Sequence, residues 1–225
     1  MPCHDGSMFT HEEVIQKTVT HIQDQFANEG SGHDWWHIYR VWKMATRLAE
    51  IEQADMVVTQ LGALLHDIAD WKAHDGDETA GPKAARAWLE SLGVDEAIVT
   101  QVSDIVAGVS FKGAGVEDHM TSKEGMIVQD ADRLDAIGAI GVARAFAYGG
   151  HKGRLLHDPT IPPQQHENFD QYKKSVGTTI NHFYEKLLLL KDRMHTKAAK
   201  EIAAERHAYL EQFLKEFLAE WEGQR

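Results

Sequence analysis

Apolar residues recur every three or four positions along most of this 225-residue chain. That is the period of a helix, and it leaves little of the sequence for a sheet. Thr10 followed by Glu13 is a capping-box pattern, and Val14, Ile15, Val19, Ile22 and Phe26 continue one face until Gly30 and Gly32 end it. A second helix is predicted from Asp34 to Gln53, with Ile38, Val41, Trp42, Ala45 and Leu48 inward. A third, strongly apolar, runs from Met56 to Asp70 through Leu61, Leu64, Leu65 and Ile68. Further helices fall near 77–92, 94–108, 123–136 and 138–148. The stretch 149–166 has no period and holds Gly149, Gly150, Gly153, Pro159, Pro162 and Pro163, which predicts a binding loop, a lid or a merely mobile connection. Two long amphipathic helices complete the chain. One carries Phe169, Tyr172, Val176, Ile180, Phe183, Leu187 and Leu190, and the other spans about 195–222 with Ile202, Tyr209, Phe213, Phe217 and Trp221. No β-hairpin, no glycine-rich phosphate loop after a strand and no fixed repeat is visible. The expectation is an all-α fold of roughly eight to ten helices.

The charge balance narrows the partners. There are 23 basic and 35 acidic residues, a net charge of −12. Such a surface repels nucleic-acid backbones and anionic membranes, which predicts no nucleic-acid polymer and no membrane as partner. A small anionic substrate stays open to it, because a metal and a few cations reverse the field within a cleft. Cys3 is the single cysteine and forms no internal disulfide, as suits a reducing compartment. No apolar run reaches the length of a membrane span, and the opening Met-Pro-Cys-His-Asp lacks the basic start and apolar stretch of a signal peptide. The chain reads as cytoplasmic.

Of the 14 histidines, His4, His11, His21, His195 and His207 stand in polar or helix-surface contexts and receive no role. Three places differ, because ionisable groups interrupt an apolar helical face: Gly32-His33-Asp34-Trp35-Trp36-His37, His66-Asp67-Ile68-Ala69-Asp70, and Asp130-Ala131-Asp132-Arg133-Leu134-Asp135. A buried charge without a partner costs several kcal/mol, so such groups pair or bind a cation. Three such places in one chain suggest a shared cation. His66 and Asp67 project about 100° apart on a helix, and both can touch an ion lying in the groove between them. His37 and one aspartate of the third segment complete a set of two imidazoles and two carboxylates. On an octahedral metal this leaves positions for water and substrate. Such mixed ligands suit Mn, Fe, Co, Ni or Zn, while Mg prefers oxygen.

The spacing His37, 28 residues, His66-Asp67, 64 residues, Asp132 resembles the H…HD…D signature of the HD-domain phosphohydrolase superfamily. The resemblance covers roughly residues 30–150 and implies an all-α HD-domain bundle. The whole chain, 1–225, is then expected to be one domain, with helices of about 168–222 either packing on it or pairing with a second copy as a homodimer. Ala131-Asp132-Arg133-Leu134 is similar to the A-D-R-L element that supplies the last ligand in the (p)ppGpp hydrolases of this superfamily, which points to Asp132 among the three aspartates. Asp135, one turn on, fits a supporting partner or a surface charge.

Three longer phrases, at 32–37, at 66–70 with 74–77, and at 129–141, resemble a bacterial and fungal subgroup of small HD hydrolases. Some members of that subgroup are similar to nucleoside triphosphate pyrophosphohydrolases, which release pyrophosphate from deoxynucleotides in the presence of manganese. The resemblance thus implies one divalent cation, Mn first, on His37, His66, Asp67 and Asp132, and a nucleotide as substrate. The alternatives are a nucleoside monophosphate phosphatase and a nucleotide-sensing module without turnover.

Asp67 is expected to act in catalysis through the cation. Asp70, four residues after His66 on the same helical face, is the expected acid-base group. The (p)ppGpp hydrolases carry a glutamate there, whereas phosphodiesterase-like members carry lysine. His33 could donate to a phosphate, and Asp34 fits a helix cap better. Trp35 and Trp36 read as core or as a base-stacking surface. Lys72, Lys112, Arg133 and Arg144 are the candidate phosphate-binding cations. His74 marks a helix entry, with Asp75 or Asp77 as its cap.

Overall fold

A computed structural model describes residues 9–27, 34–69, 77, 79–109, 119–164 and 177–225. Among them there are helices and turns and no strand. The helices are α1 (His11–Gln25), α2 (Trp35–Glu52), α3 (Met56–Leu65), α4 (Ala80–Ser91), α5 (Glu96–Gly108), α6 (Lys123–Asp135), α7 (Gly138–His151), α8 (Thr179–Glu185) and α9 (Lys197–Trp221), with a 3₁₀ segment over Leu187–Arg193. The all-α expectation is met. No described helix is long and apolar enough to cross a membrane.

The chain divides into two compact units. The first comprises the described residues up to 109 together with 119–131, and the second begins at Asp132 and runs to the end. The division falls inside α6, a single continuous helix.

In the first unit α3 is central. Val58, Thr59, Leu61, Gly62, Ala63, Leu64 and Leu65 are all buried, as expected of a helix that is apolar all round. α1, α2 and α5 pack on it, and α4 packs on α5. Asp55 starts α3 by accepting from the backbone N–H groups of Val57 and Val58, at 2.9 and 3.0 Å. The start of α6 is fastened to the same corner. Glu124 Oε1 accepts from the Asp55 N–H at 2.9 Å, and Lys123 Nζ donates to the Glu52 carbonyl. Farther along α6, Gln129 Nε2 donates to the Gly108 carbonyl at 3.2 Å. These bonds set the line along which α6 leaves the corner.

α1 begins with the predicted capping box, in which Thr10 and Glu13 satisfy each other's backbone N–H. Its inner face buries Val14, Ile15, Thr18 and Ile22. His21, one of the histidines given no role from sequence, stacks on Trp88 of α4, with ring centroids 3.9 Å apart. Burial lowers the His21 pKa from its ordinary value near 6.5, and Asp24 opposes this weakly. A depressed imidazole favours the folded state while neutral. Its contribution is therefore complete above about pH 6.5 and is lost as pH falls through the lower folded value. An NMR titration should place His21 below the free-imidazole value, and Trp88→Ala should return it toward that value. A titration unchanged by Trp88→Ala would show that Trp88 is not the cover.

In the second unit Phe146 of α7, Phe183 of α8 and Phe213 of α9 form one aromatic cluster, with centroids 5.6 to 6.0 Å apart. α7 opens on Gly138, whose φ is +75°. A Cβ there would stand 3.0 Å from Arg206 Cγ, so glycine suits both the backbone and the space.

Two expectations about helices need correction. The predicted helix containing Phe183 to Leu190 is broken at Lys186, where φ is −139° and ψ is −59°. Beyond it, Leu187 and Leu190 are both buried. They are three residues apart, the period at which a 3₁₀ turn brings side chains into register, and this packing replaces the α-helical continuation. Phe169, Tyr172 and Val176 lie outside the described residues. The third helix ends at Leu65 rather than Asp70, with consequences for the site.

Candidate metal centre

His37 sits at the third position of α2, and the sequence places it there through its cap. Asp34 Oδ1 accepts from the His37 N–H at 2.9 Å. The face this creates is His37, Ile38, Val41, Ala45, Leu48 and Ala49, all buried. Trp36 falls outside that face and is 61% exposed, which corrects the core reading of that residue.

His66 is the C-cap of α3, and residues 66–69 form turns rather than a further helical stretch. The Ile68 N–H bonds to the Leu65 carbonyl at 3.0 Å, a three-residue turn. His66 Nδ1 lies 2.8 Å from the Ala63 carbonyl. A carbonyl only accepts, so Nδ1 carries a proton, and Nε2 is the ring nitrogen left to act as a ligand. One ring thus satisfies an otherwise orphaned helix-end carbonyl and aims its other nitrogen as a ligand.

That nitrogen meets His37. The two Nε2 atoms are 3.2 Å apart, and both residues are buried. Asp67 Oδ2 lies 3.5 Å from each of them. Asp132, on α6, offers a carboxylate oxygen that forms a set with both imidazoles, all ligand atoms lying within 4.8 Å of one another. The chemistry of this donor set fits a divalent cation: two imidazole nitrogens and carboxylate oxygens meet from the start of α2, the turn after α3 and α6. The C-terminal end of α3 points its partial negative charge the same way, which also favours a cation.

The matches to known proteins agree with this geometry. The HD domain family model matches residues 35–137, a span that begins just before His37 and ends just after Asp135. Bacillus subtilis YpgQ is 38% identical over 200 residues, covering 88% of each chain. This chain belongs to the HD-domain family. A solved structure from Lactobacillus plantarum superposes with a TM-score of 0.85 at 39% identity, covering 96% of this chain and all of that one. A Bacillus thuringiensis HD-superfamily hydrolase gives 0.73 at 46% identity, covering 95% and 99%. Bacillus subtilis YpgQ in complex with ADP gives 0.73 at 33% identity, covering 93% and 95%. The fold is that of the HD-superfamily hydrolases. HD domains bind divalent metal, and His37, His66 and Asp132 form a set that could hold one.

The remaining candidates distribute as follows. Arg144 forms an ion pair with Asp135 at 3.1 Å, on side chains 18% and 6% exposed. Asp135 is therefore a buried partner of an arginine and not a surface charge. Arg133 is buried, with Nη1 bonded to the Arg193 carbonyl and 3.2 Å from His195 Nε2. His195 thus has a structural neighbour that its polar sequence context concealed. Asp77 accepts from the Thr79 N–H and hydroxyl at 2.8 and 2.7 Å, a turn just before α4. His33, Asp70, Lys72, His74, Asp75 and Lys112 lie outside the described residues.

Proposed function

We propose that this chain is a divalent-metal-dependent phosphohydrolase that cleaves nucleoside triphosphates, deoxynucleotides included, to the monophosphate and pyrophosphate. The observation that carries the reading is the approach of His37 Nε2 and His66 Nε2 to 3.2 Å, with Asp67 Oδ2 3.5 Å from each. Two buried imidazoles brought nose to nose are explained by a ligand they share. His37, His66, Asp67 and Asp132 would hold one cation, manganese by preference. Bound there, it would supply charge to neutralise phosphoryl oxygens and to acidify water. The relative YpgQ has been solved with ADP, which supports a nucleotide as the class of substrate.

The chain's own groups have separate tasks in this reading. His66 Nδ1, tied to the Ala63 carbonyl, holds its ring in one tautomer. Asp70 takes the proton of the attacking water. That water's oxygen adds to the α-phosphorus as the bond to the bridging oxygen breaks, and pyrophosphate leaves with the bond's electron pair. His33, Lys72, Lys112 and Arg144 are the groups proposed to bind the phosphate chain, Arg144 being steered by Asp135, whereas Arg133, also expected there from sequence, is buried and bonded to the Arg193 carbonyl.

The test is a panel of nucleoside mono- and triphosphates against Mn, Fe, Co, Ni, Zn and Mg, with products separated by chromatography. Monophosphate and pyrophosphate in equal amounts, dependent on metal, are expected. Orthophosphate released from monophosphates alone would make the protein a phosphatase. Thermal stabilisation by nucleotide without any turnover would make it a sensor.

A further inference from the structure

The turn that carries His66 and Asp67 lies beyond the last helical residue of α3, so the helix's hydrogen-bond ladder does not hold its later part. Among the described residues, two elements outside the turn approach the backbone of Ile68 and Ala69. Gln25, at the end of α1, donates from Nε2 to the Ile68 carbonyl at 2.6 Å, across 43 residues of sequence. On α4, Gly81 stands so near that a Cβ there would be 3.3 Å from the Ala69 carbonyl oxygen.

α1 is fixed in rotation one and two turns before Gln25. Trp88 Nε1 donates to Thr18 Oγ1 at 2.9 Å, and the same indole stacks on His21. Thr18 and His21 lie seven and four residues before Gln25, so the three share one helical face. The indole therefore sets the roll of α1 that aims the Gln25 amide at Ile68. Ile68 itself is buried, and its carbonyl would otherwise lack this donor.

We infer that Gln25 is a positioning residue for the metal centre, holding the Ile68 carbonyl so that Asp67 keeps its place against the two imidazoles. This inference rests on the reading that His37, His66, Asp67 and Asp132 bind a divalent cation. Gln25 touches no ligand atom and acts through the backbone directly after Asp67. Neither the periodicity nor the H…HD…D spacing marks it, because an exposed amide at a helix end has many ordinary uses.

The experiment is a manganese titration by calorimetry on the full chain, stripped with a chelator, for the parent protein and three variants. Gln25→Met keeps the length and loses the donor. Gln25→Glu keeps the shape but opposes an oxygen to the Ile68 carbonyl. Gln25→Lys keeps a donor. Outer-shell partners of metal ligands are worth about ten- to a hundredfold in affinity. Gln25→Met and Gln25→Glu should therefore weaken manganese binding about tenfold or more, with Gln25→Lys near the parent.

Backbone amide exchange in the metal-free protein gives a second readout. The amides of 66–69 should exchange faster in Gln25→Met and Gln25→Glu, while those of central α3 stay unchanged. Unaltered manganese affinity and unaltered exchange in both variants would overturn the inference. So would a parent protein that binds no manganese. If the parent binds manganese and Gln25→Met weakens it, the inference holds even where no nucleotide is cleaved. In that event the proposed reaction alone fails.

Discussion

His66→Ala should abolish measurable manganese binding and lower metal-dependent hydrolysis about 10²-fold or more. A catalytic cation contributes several kcal/mol to the transition state, and each 1.36 kcal/mol is a tenfold change in rate. The loss goes beyond one ligand. His66 joins the Ala63 carbonyl to the centre, and its Nε2 is the common neighbour of His37 Nε2 and Asp67 Oδ2. Without the ring, the Ala63 carbonyl loses a donor, a cost of about 1 kcal/mol that is small beside the effect on rate. Asp67→Ala should have a comparable effect, and the double variant should be little worse than either, because residues acting on one ion are not additive. Calorimetric titration and initial rates measure both quantities. A His66→Ala protein that keeps the parent's metal affinity and rate would remove this centre from the chemistry.

Phe183→Ala should destabilise the second unit by about 3–5 kcal/mol. The ring is fully buried, and it joins Phe146 to Phe213 with centroids at 6.0 and 5.6 Å. Truncation removes its transfer energy and leaves a cavity that rings on α7 and α9 are too stiff to fill. At roughly 2–4 °C per kcal/mol for a chain of this size, the melting temperature should drop by about 6 °C or more. Leu156→Ala is the control within the same unit. That side chain is 54% exposed, and its truncation should stay within about 0.5 kcal/mol. Differential scanning calorimetry distinguishes them, and equal effects would mean that the aromatic cluster is not the core of this unit.

Much of the helical framework was open to reading from local pattern alone. Thr10 with Glu13 and Asp34 before Trp35 are caps, and caps are short-range devices that a few adjacent residues specify. The helix positions followed in the same way, since apolar spacing reports the face that must be buried. Where the pattern failed, a contact that apolar spacing does not report had intervened. α3 stops at Leu65 although apolar spacing continues to Ile68, because the His66 ring takes the Ala63 carbonyl and the chain turns. The helix leading to Leu190 breaks at Lys186, where two leucines meet the core at 3₁₀ spacing. His21, His195 and Arg133 gave no sequence signal of their partners Trp88, Arg133 and the Arg193 carbonyl, because each partner lies tens of residues away.

The sequence by itself determined the all-α class and the caps that start the helices, which follow from period and order along one strand of residues. It also offered two histidines and several aspartates with metal-ligand chemistry, and the resemblance to the HD signature singled out His37, His66, Asp67 and Asp132 among them. Only the tertiary structure decided that two imidazole nitrogens stand 3.2 Å apart, that Arg144 answers to Asp135 while Arg133 turns to Arg193 and His195, and that a glutamine on α1 holds the turn behind Asp67. Those are distances between groups far apart in sequence. They depend on how helix ends, stacked rings and orphaned carbonyls settle together once the apolar faces have been buried.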